Sequence, residues 1–457
     1  MERWLAAALD YIPRWIEHQM RLWEQPGAVI AVARRGEILL ERAFGHADLA
    51  RKVPLTPRHR LRVASHSKSF TAAGIMRLRE RGKLRLDDPA GKYVRGLHRR
   101  TAEATLAQLL SHSAGIIRDG TDSGQWTDRR PFLDEAELRQ ALTEAPILEA
   151  NTRFKYSNHS YGLLGLVIEA VTHEPYRRWI AREIVAQAGL EETQPDVPLR
   201  RGLPFARGHS AKLPLGRRVV IPGENSTHAL AAATGFVSTA ADLARWFNSL
   251  IPEARQSPIS PGSRREMIRR QWKDPHSSLD RHYGLGIVSG KLASWDWFGH
   301  SGGFQGYITR TASVPAEGLT VSVLTNAADG LAHPWIDGSI QILERFAKEG
   351  APARSVAGWS GRWWSLWGTV DLLPMGRKVL VATPAFFNPL MDASELAITG
   401  RDSGRIALAS GTASHGERVR RVRDGRGRVK EVWLAGGKLL PEAQVARELS
   451  QRYERKR

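Results

Sequence analysis

The first residues able to do chemistry together are a serine and a lysine three positions apart. Ser65 and Lys68 form a Ser-x-x-Lys pair in a run with apolar residues at helical spacing, which stops at Gly82. Positions i and i+3 share one face of a helix, so the Lys68 ammonium can reach the Ser65 hydroxyl. The pair therefore suggests an activated nucleophile. An N-cap serine followed by a solvated lysine gives the same pattern, so the rest of the chain has to decide.

Two further motifs follow in order, Tyr156-Ser157-Asn158 and His300-Ser301-Gly302, the second placed before a predicted strand. A Tyr156 phenolate could take the proton of the serine if a cation lowered its pKa. One cation at about 4 Å is worth roughly 4 kcal/mol, or about three pKa units. Lys68, helped by a protonated His300, could bring the pKa of Tyr156 close to neutral pH. Lys68 as the base is the alternative, and the sequence leaves both assignments open.

The remaining roles are substrate positioning and stabilisation of the oxyanion. Asn158 offers an amide donor and acceptor for Lys68 and the substrate carbonyl region. The expected oxyanion donors are the backbone N–H groups of Ser65 and Gly303, and losing one such donor costs about 2.7 to 4 kcal/mol. Ser301 and Gly302 complete the predicted substrate-binding set.

Residues Gly299–Gly303 also match G-x-S-x-G, the nucleophile elbow of α/β-hydrolases. That elbow needs a helix directly afterwards, whereas residues 304–313 are predicted to be a strand. Its acid and histidine would come from Asp329 or Asp337 and from His333 or His415, on segments without the required alternation of strands and helices. Metal catalysis is disfavoured because the histidines show no H-E-x-x-H or comparable spacing.

The elements around these motifs predict an α+β fold, in which an antiparallel sheet is flanked by helices and closed by non-adjacent parts of the chain. Near residue 350, helical periodicity gives way to short Val- and Leu-containing runs punctuated by Gly and Pro. This change predicts two domains, a hydrolase domain over residues 1–350 and a small C-terminal all-β, barrel-like domain over residues 351–457. The main predicted elements are an amphipathic helix over residues 1–23 broken by Pro13, a hairpin of 27–34 with 37–44, helices at 134–142, 161–171 and 335–348, a helix after Ser238 or Thr239, strands at 307–313 and 319–326, and a terminal helix after Pro441.

Composition narrows the function classes. The chain has 457 residues, 42% of them hydrophobic, and no cysteine, which excludes disulfides, thiolate zinc sites and a cysteine nucleophile. The net charge of +20 is spread along the chain, and the densest cluster, residues 417–430, is predicted to be a hairpin with a solvated basic face, so nucleic-acid binding is disfavoured. No apolar run reaches the length of a membrane span, and no signal peptide is recognised, which predicts a cytoplasmic protein; a signal replaced by a new Met would leave the same N-terminus.

With these residues in place, the chain resembles the serine β-lactamase and penicillin-binding-protein superfamily, in particular its class C-like branch. The similarity covers roughly residues 20 to 348 and extends to Leu109–Gly115, Tyr161–Gly165, Gly235–Asp242 and Leu324–Asn326. It implies that Ser65 is acylated, that Lys68 and Tyr156 share proton transfer, and that Asn158 orients the substrate. It also implies that no metal or organic cofactor is needed, and that the site lies between an all-helical region and the sheet.

One motif departs from typical β-lactamases, because His300 stands where their Lys-Thr-Gly has lysine. Histidine is only partly charged near neutral pH, which weakens a permanent anchor for a substrate carboxylate. A His-x-Gly motif in this place is similar to that of D-alanyl-D-alanine carboxypeptidases, D-aminopeptidases and related amidases and esterases. The prediction is a serine hydrolase that acts on a small peptide or ester, with D-amino-acid-containing peptides first. The alternatives are a carboxylesterase or weak β-lactamase, and a non-catalytic homologue that binds peptidoglycan fragments or polyanions.

Overall fold

The computed structural model describes residues 1–199, 201–273, 280–410 and 414–454. The chain forms two compact units, Gln25–Ile336 and the combination of Met1–Glu24 with Asp337–Arg457. Helix α1 (Arg3–Leu22) thus belongs to the unit that contains the C-terminal residues. This division differs from the predicted boundary at residue 350.

The reason for the difference lies in the contacts of α1. Tyr11 donates a hydrogen bond to Asp371 over 3.0 Å, and Gln19 donates one to the carbonyl of Pro384 over 2.7 Å. Pro13 lies inside α1 without ending it, contrary to the predicted break. Buried residues on both sides of Pro13 hold the two halves in place, and tertiary packing of this kind contributes most of the stability of helices in proteins.

The larger unit is built around a nine-stranded antiparallel sheet. The nine strands of this sheet are β1 (Gly27–Arg34), β2 (Glu37–Asp48), β3 (Val53–Pro54), β8 (Trp272–Lys273), β9 (Arg281–Tyr283), β10 (Val288–Leu292), β11 (Trp295–Phe304), β12 (Tyr307–Val314) and β13 (Leu319–Thr325). Two short pairs lie outside it: β4 (Leu61–Arg62) pairs with β7 (Val237–Ser238), and β5 (Gly208–His209) pairs with β6 (Val220–Ile221). The order of the sheet is β3-β2-β1-β13-β12-β11-β10-β9-β8. The β1–β2 hairpin is confirmed, and the pairing of β1 with β13 confirms that distant parts of the chain close the sheet.

Helices pack on this sheet and on one another. They are α2 (Ser67–Glu80), α3 (Arg99–Glu103), α4 (Leu106–Leu110), α5 (Glu135–Ala141), α6 (Asn158–Thr172), α7 (Tyr176–Ile180), α8 (Ala240–Ser249) and α9 (Pro261–Ile268). Helix α8 contacts β1 and β13, whereas α2 contacts α6 in the helical region. Two of the predicted starts are confirmed, because Asp134 and Glu137 form a capping box at α5 and Thr239 caps α8. The antiparallel sheet and the helices that flank it confirm the predicted α+β fold class.

The histidine motif lies within β11, and not before a strand as predicted. A turn at Gln305-Gly306, where Gly306 has φ of +81°, then reverses the chain into β12, so the predicted strand over 304–313 is interrupted. No helix follows Gly303, which is incompatible with the nucleophile elbow of an α/β-hydrolase. That alternative is wrong.

The second unit contains an eight-stranded antiparallel sheet and three helices besides α1. The helices are α10 (Ala332–Glu349), inside which the division of the chain falls, α11 (Arg354–Ala357) and α12 (Glu442–Tyr453). The strands pair in chain order and are β14 (Gly361–Ser365), β15 (Gly368–Met375), β16 (Lys378–Ala382), β17 (Ser394–Gly400), β18 (Ser403–Leu408), β19 (Arg418–Arg423), β20 (Val429–Leu434) and β21 (Gly437–Leu439). A bridge between Trp364 and Leu440 brings the two ends together, which confirms a barrel-like sheet. Among the described residues, no helix is long and apolar enough to cross a membrane.

Candidate active site

Ser65 sits in a 3₁₀ turn, Ala64–His66, immediately before α2. Ala64 has φ of +45°, a conformation that L-residues adopt only where the surroundings impose it. The surroundings here include the hydrogen bond from Val63 N to the carbonyl of Phe236, 3.0 Å long. The serine is half-buried, while His66 and Ser67 beside it are fully buried, so the turn presents the Ser65 hydroxyl to the outside of the helical region.

The side chain of Lys68 is completely buried below this serine. Its Nζ lies 3.3 Å from Ser65 Oγ, 2.7 Å from Asn158 Oδ1 and 2.8 Å from the carbonyl oxygen of Ala233. Burial disfavours the charged amine and holds the pKa of Lys68 well below its usual range. A neutral amine has two N–H donors and one lone pair. It can therefore donate to Asn158 and Ala233 and still accept the proton of Ser65.

Tyr156 reaches the same serine oxygen. Its hydroxyl donates to Ser65 Oγ over 2.8 Å, and Lys68 Nζ lies 4.7 Å from the centre of its ring. Burial raises the pKa of Tyr156 above its ordinary value of 10, and the hydrogen bond with Ser65 and the charge of Arg118 lower it less. The expectation that nearby cations bring this pKa near neutrality is therefore corrected, because desolvation outweighs them. Tyr156 stands beside the serine as a neutral phenol.

His112 holds the tyrosine in place and was not singled out as a site residue from the sequence. Its ring centre lies 4.2 Å from that of Tyr156, and its Nδ1 accepts a 3.1 Å hydrogen bond from the backbone of Ser157. The backbone carbonyl of His112 accepts from Lys155 N over 2.7 Å. The only sequence signal was its position in the Leu109–Gly115 segment.

Asn158 lies at the first turn of α6 and bonds at both ends of its amide. Its Oδ1 accepts from Lys68, and its Nδ2 donates to Asp119 Oδ1 over 2.6 Å. The other carboxylate oxygen of Asp119 lies 3.0 Å from Arg118 Nε. Asp119 and Arg118 were missed because they fall in the irregular stretch after Gly115, where periodicity gives no information.

His300 is buried, and its ring does not contact Ser65 or Tyr156 through a described hydrogen bond. Its Nε2 lies 3.1 Å from the hydroxyl of Tyr283, and its Nδ1 faces the backbone of Ser301. Burial holds the pKa of His300 well below 6.5, and the nearby His66 and Lys68 lower it further. The predicted protonated His300 is therefore corrected to a neutral one near pH 7. Tyr283, on β9, is a further site residue that the sequence did not reveal.

Of the residues described so far, those that border one cavity of about 460 Å³ are Ser65, Arg118, Tyr156, Asn158, Tyr283, His300 and Ser301. Ser301 and Gly303 line it, whereas Gly302 does not. A Cβ on Gly302 would lie 2.1 Å from the carbonyl oxygen of Val63, so Gly302 packs β11 against the turn that carries Ser65. The lining residues are Ser65, Arg118, Trp126, Phe154, Tyr156, Asn158, Arg281, His282, Tyr283, Val288, Trp297, His300, Ser301, Gly303, Arg310 and His333.

The lining is basic and aromatic in composition. It includes three arginines and three histidines, and the lining residues that the structure describes include no aspartate or glutamate. Nowhere in residues 1–199, 201–273, 280–410 and 414–454 do three or more His, Asp or Glu side chains form a group that could hold a metal ion.

A serine, lysine and tyrosine in this arrangement, with the histidine motif on the neighbouring strand, can be compared with known proteins. The family model described as Beta-lactamase matches residues 12–335. The chain belongs to the beta-lactamase family. This family placement confirms the resemblance inferred from the three motifs, and members of the family are serine hydrolases.

Individual relatives of this beta-lactamase family chain cover different shares of its length. Protein flp from Staphylococcus aureus (strain N315) is 31% identical over 173 residues, which are 37% of this chain and 34% of the relative, so the match spans about a third of that protein. Two solved structures share the fold. The octameric penicillin-binding protein homologue from Pyrococcus abyssi has a TM-score of 0.67 at 22% identity and covers 94% of this chain and 99% of its own. A D-stereospecific amidohydrolase from Streptomyces sp. has a TM-score of 0.62 at 23% identity and covers 73% and 98%.

Proposed function

We propose that this protein is a serine hydrolase that forms an acyl-enzyme on Ser65 and cleaves amide or ester bonds in small substrates, with D-amino-acid-containing peptides as the leading class. One observation carries the proposal. Ser65 Oγ is 2.8 Å from a phenol that can donate a proton and 3.3 Å from an amine that can accept one. The amine can activate the serine by accepting its proton, and the phenol can protonate the leaving group of the substrate.

In the first step, neutral Lys68 takes the Ser65 proton as Oγ attacks the substrate carbonyl carbon. The carbonyl double bond opens and its electron pair moves to oxygen. Backbone N–H groups of Ser65 and Gly303 are the proposed donors to this oxyanion. Asn158 Oδ1 and the carbonyl of Ala233 hold the resulting ammonium, since all three of its hydrogens then point at oxygen atoms.

In the second step, the oxyanion collapses and the bond to the leaving group breaks. An amine leaving group needs a proton, and the Tyr156 hydroxyl is the proposed donor, with the Lys68 ammonium restoring that proton afterwards. The product of this half-reaction is an ester on Ser65 and a free amine. Water then attacks the ester with Lys68, again neutral, as the base, which releases the acid and restores Ser65.

The substrate class rests on the lining of the cavity and on the relatives. One matched structure is described as a D-stereospecific amidohydrolase. Recognition of a free substrate ammonium normally uses a carboxylate, and the described lining residues include none. The lining therefore favours D-amino-acid amides and peptides that have a blocked or distant amino group over peptides cleaved next to a free amine.

A second candidate is carboxylesterase activity, with weak β-lactamase activity beside it. The observation that favours it is His300, which is neutral and stands where a permanently charged lysine would anchor a substrate carboxylate. Esters also need less help at the leaving group than amides. A non-catalytic binding homologue is disfavoured, because binding alone requires neither the buried Lys68 nor the Tyr156 contact to Ser65.

The test is covalent labelling followed by intact-mass measurement. The wild-type protein is incubated with a fluorophosphonate and, separately, with penicillin. We expect one added fluorophosphonate group per chain, absent in Ser65→Ala and present in the exposed control Ser123→Ala. Absence of an adduct in the wild type, or an adduct that survives Ser65→Ala, would falsify the proposal. Hydrolysis of a D-amino-acid p-nitroanilide, its L-enantiomer and a p-nitrophenyl ester then ranks the substrate classes.

A further inference from the structure

A buried carboxylate lies next to the residues that carry the proposed function. Asp119 is 8% exposed, and its Oδ1 accepts a hydrogen bond from Asn158 Nδ2 over 2.6 Å. A carboxylate only accepts hydrogen bonds, so the NH₂ end of the amide must face Asp119. The oxygen end then faces Lys68 Nζ, 2.7 Å away. The two contacts therefore require the same orientation of one amide group.

We propose that Asp119 is a positioning residue for Lys68, which acts by locking the amide of Asn158 with Oδ1 towards the lysine nitrogen. The proposal rests on the proposed role of Lys68 as proton acceptor. Without the lock, the amide can rotate by half a turn and direct an N–H of Nδ2 at Lys68. That N–H would compete with the Ser65 hydroxyl for the single lone pair of the neutral amine, and the base would be blocked by its own neighbour.

The charge of Asp119 also reaches Lys68. Burial lowers the pKa of Lys68, Asp119 raises it, and Arg118, which lies 3.0 Å from the carboxylate, lowers it. Replacing the carboxylate by an amide should therefore lower this pKa. The titratable and charged groups that face Lys68 or interact with its charge are Tyr156, Tyr161, His112, His300, Arg118 and Asp119.

Two substitutions separate the lock from the charge. The Asp119→Asn side chain keeps an oxygen that can accept from Asn158 Nδ2 but has lost the charge. The Asp119→Ala side chain has lost both. A matched control is Asp122→Asn on the same loop, since Asp122 is exposed and its side chain accepts a hydrogen bond from the backbone N–H of Gly124, away from Asn158 and Lys68. Circular dichroism and thermal unfolding first establish that each variant is folded.

The measurement is the rate of fluorophosphonate labelling of Ser65 as a function of pH. For Asp119→Ala we expect a loss of about 10- to 100-fold, because the base is misplaced. For Asp119→Asn we expect a smaller loss and an acidic limb moved to lower pH by about one unit, because labelling requires neutral Lys68 and its pKa has fallen. The control should match the wild type. In an Asn158→Ala background, Asp119→Ala should change the rate no further, because Asp119 acts through Asn158.

Two outcomes would overturn the inference. One is a folded Asp119→Ala with the wild-type rate and pH profile, and the other is an Asp119→Ala effect that persists in full in the Asn158→Ala background. Both leave the proposed function standing, since wild-type labelling at Ser65 is measured in the same experiment. If Asp119→Ala does not fold, Asp119→Leu, which has a similar size and likewise lacks an acceptor for Asn158 Nδ2, takes its place in both comparisons, and a folded Asp119→Leu with the wild-type rate contradicts the proposal.

Discussion

The Tyr156 hydroxyl donates to Ser65 Oγ over 2.8 Å, and this contact leaves the serine proton free to point at Lys68 Nζ, 3.3 Å from the same oxygen. With Lys68 neutral, as the proposed mechanism requires, the three groups form a chain in which tyrosine donates to serine and serine donates to lysine. Burial raises the pKa of the phenol and lowers that of the amine, and both shifts favour the uncharged forms. In the proposed mechanism, this direction makes Lys68 the base and Tyr156 the acid for the leaving group.

The two roles predict different responses to two substitutions. Lys68→Met removes the base and should slow fluorophosphonate labelling by about 10²- to 10⁴-fold. Tyr156→Phe removes the acid, so it should slow hydrolysis of an amide by a similar factor but labelling far less, because fluoride leaves without being protonated. Stopped-flow labelling and p-nitroanilide hydrolysis measure the two. Equal loss of labelling in both variants would make Tyr156 the base instead.

The pH profile offers a second prediction. Burial holds the pKa of His300 well below 6.5, which favours its neutral form near pH 7, so in the proposed mechanism the acidic limb of the labelling rate should come from Lys68. The rate is full above the pKa of Lys68 and falls as pH drops through it. His300→Gln should therefore lower the rate through the lost contact to Tyr283 without moving the limb. An acidic limb that moves with this substitution would mean that the protonation state of His300 also controls the labelling rate.

Much of the site could be predicted from the sequence, because its residues come in short motifs with definite spacing. Ser65 and Lys68 share one helical turn, and Tyr156 and Asn158 are two residues apart, so each pair is fixed by local geometry. The sheet was recognisable too, since β1, β2 and β13 are rich in branched residues. These features depend on neighbours in the chain.

The rest depends on contacts between distant segments, which periodicity does not encode. Asp119 and His112 reach the site through loops, and the neutral state of His300 follows from burial, which can only be read from the folded chain. Tyr283 belongs to a three-residue strand, too short for a pattern. The position of α1 is a similar case, because Asp371 bonds to a residue 360 positions earlier. In each case the deciding interaction is tertiary.

Adjacent glycines on β11 provide a matched pair for a third prediction. A methyl group on Gly302 would meet the Val63 carbonyl at 2.1 Å, whereas one on Gly303 would meet only Ile308 Cδ1 at 3.7 Å. Val63 lies two residues before the nucleophile, so Gly302→Ala should both lower the melting temperature and slow labelling of Ser65. Overpacking of this kind typically costs about 1 to 3 kcal/mol. Gly303→Ala should unfold at the wild-type temperature in the same calorimetric experiment. Equal melting temperatures for the two variants would contradict the close packing of β11 on the nucleophile turn.

The strand that leads into Ser65 is anchored by a buried ion pair, which gives the last prediction. Arg62 and Asp196 lie 3.3 Å apart with fully buried side chains, and Asp196 also accepts from the backbone of Thr227 over 2.9 Å. Asp196→Ala leaves the guanidinium buried without its counter-charge, so the free energy of unfolding should fall by about 3 to 5 kcal/mol. The matched control is Asp87→Ala, which breaks an exposed pair with Arg85 of similar length, 3.0 Å, and should leave that free energy nearly unchanged. Urea unfolding of both variants measures the difference. Similar losses of unfolding free energy in the two variants would mean that the buried Arg62–Asp196 pair does not stabilise the fold. The turn that carries Ser65 would then be held by its backbone hydrogen bonds alone.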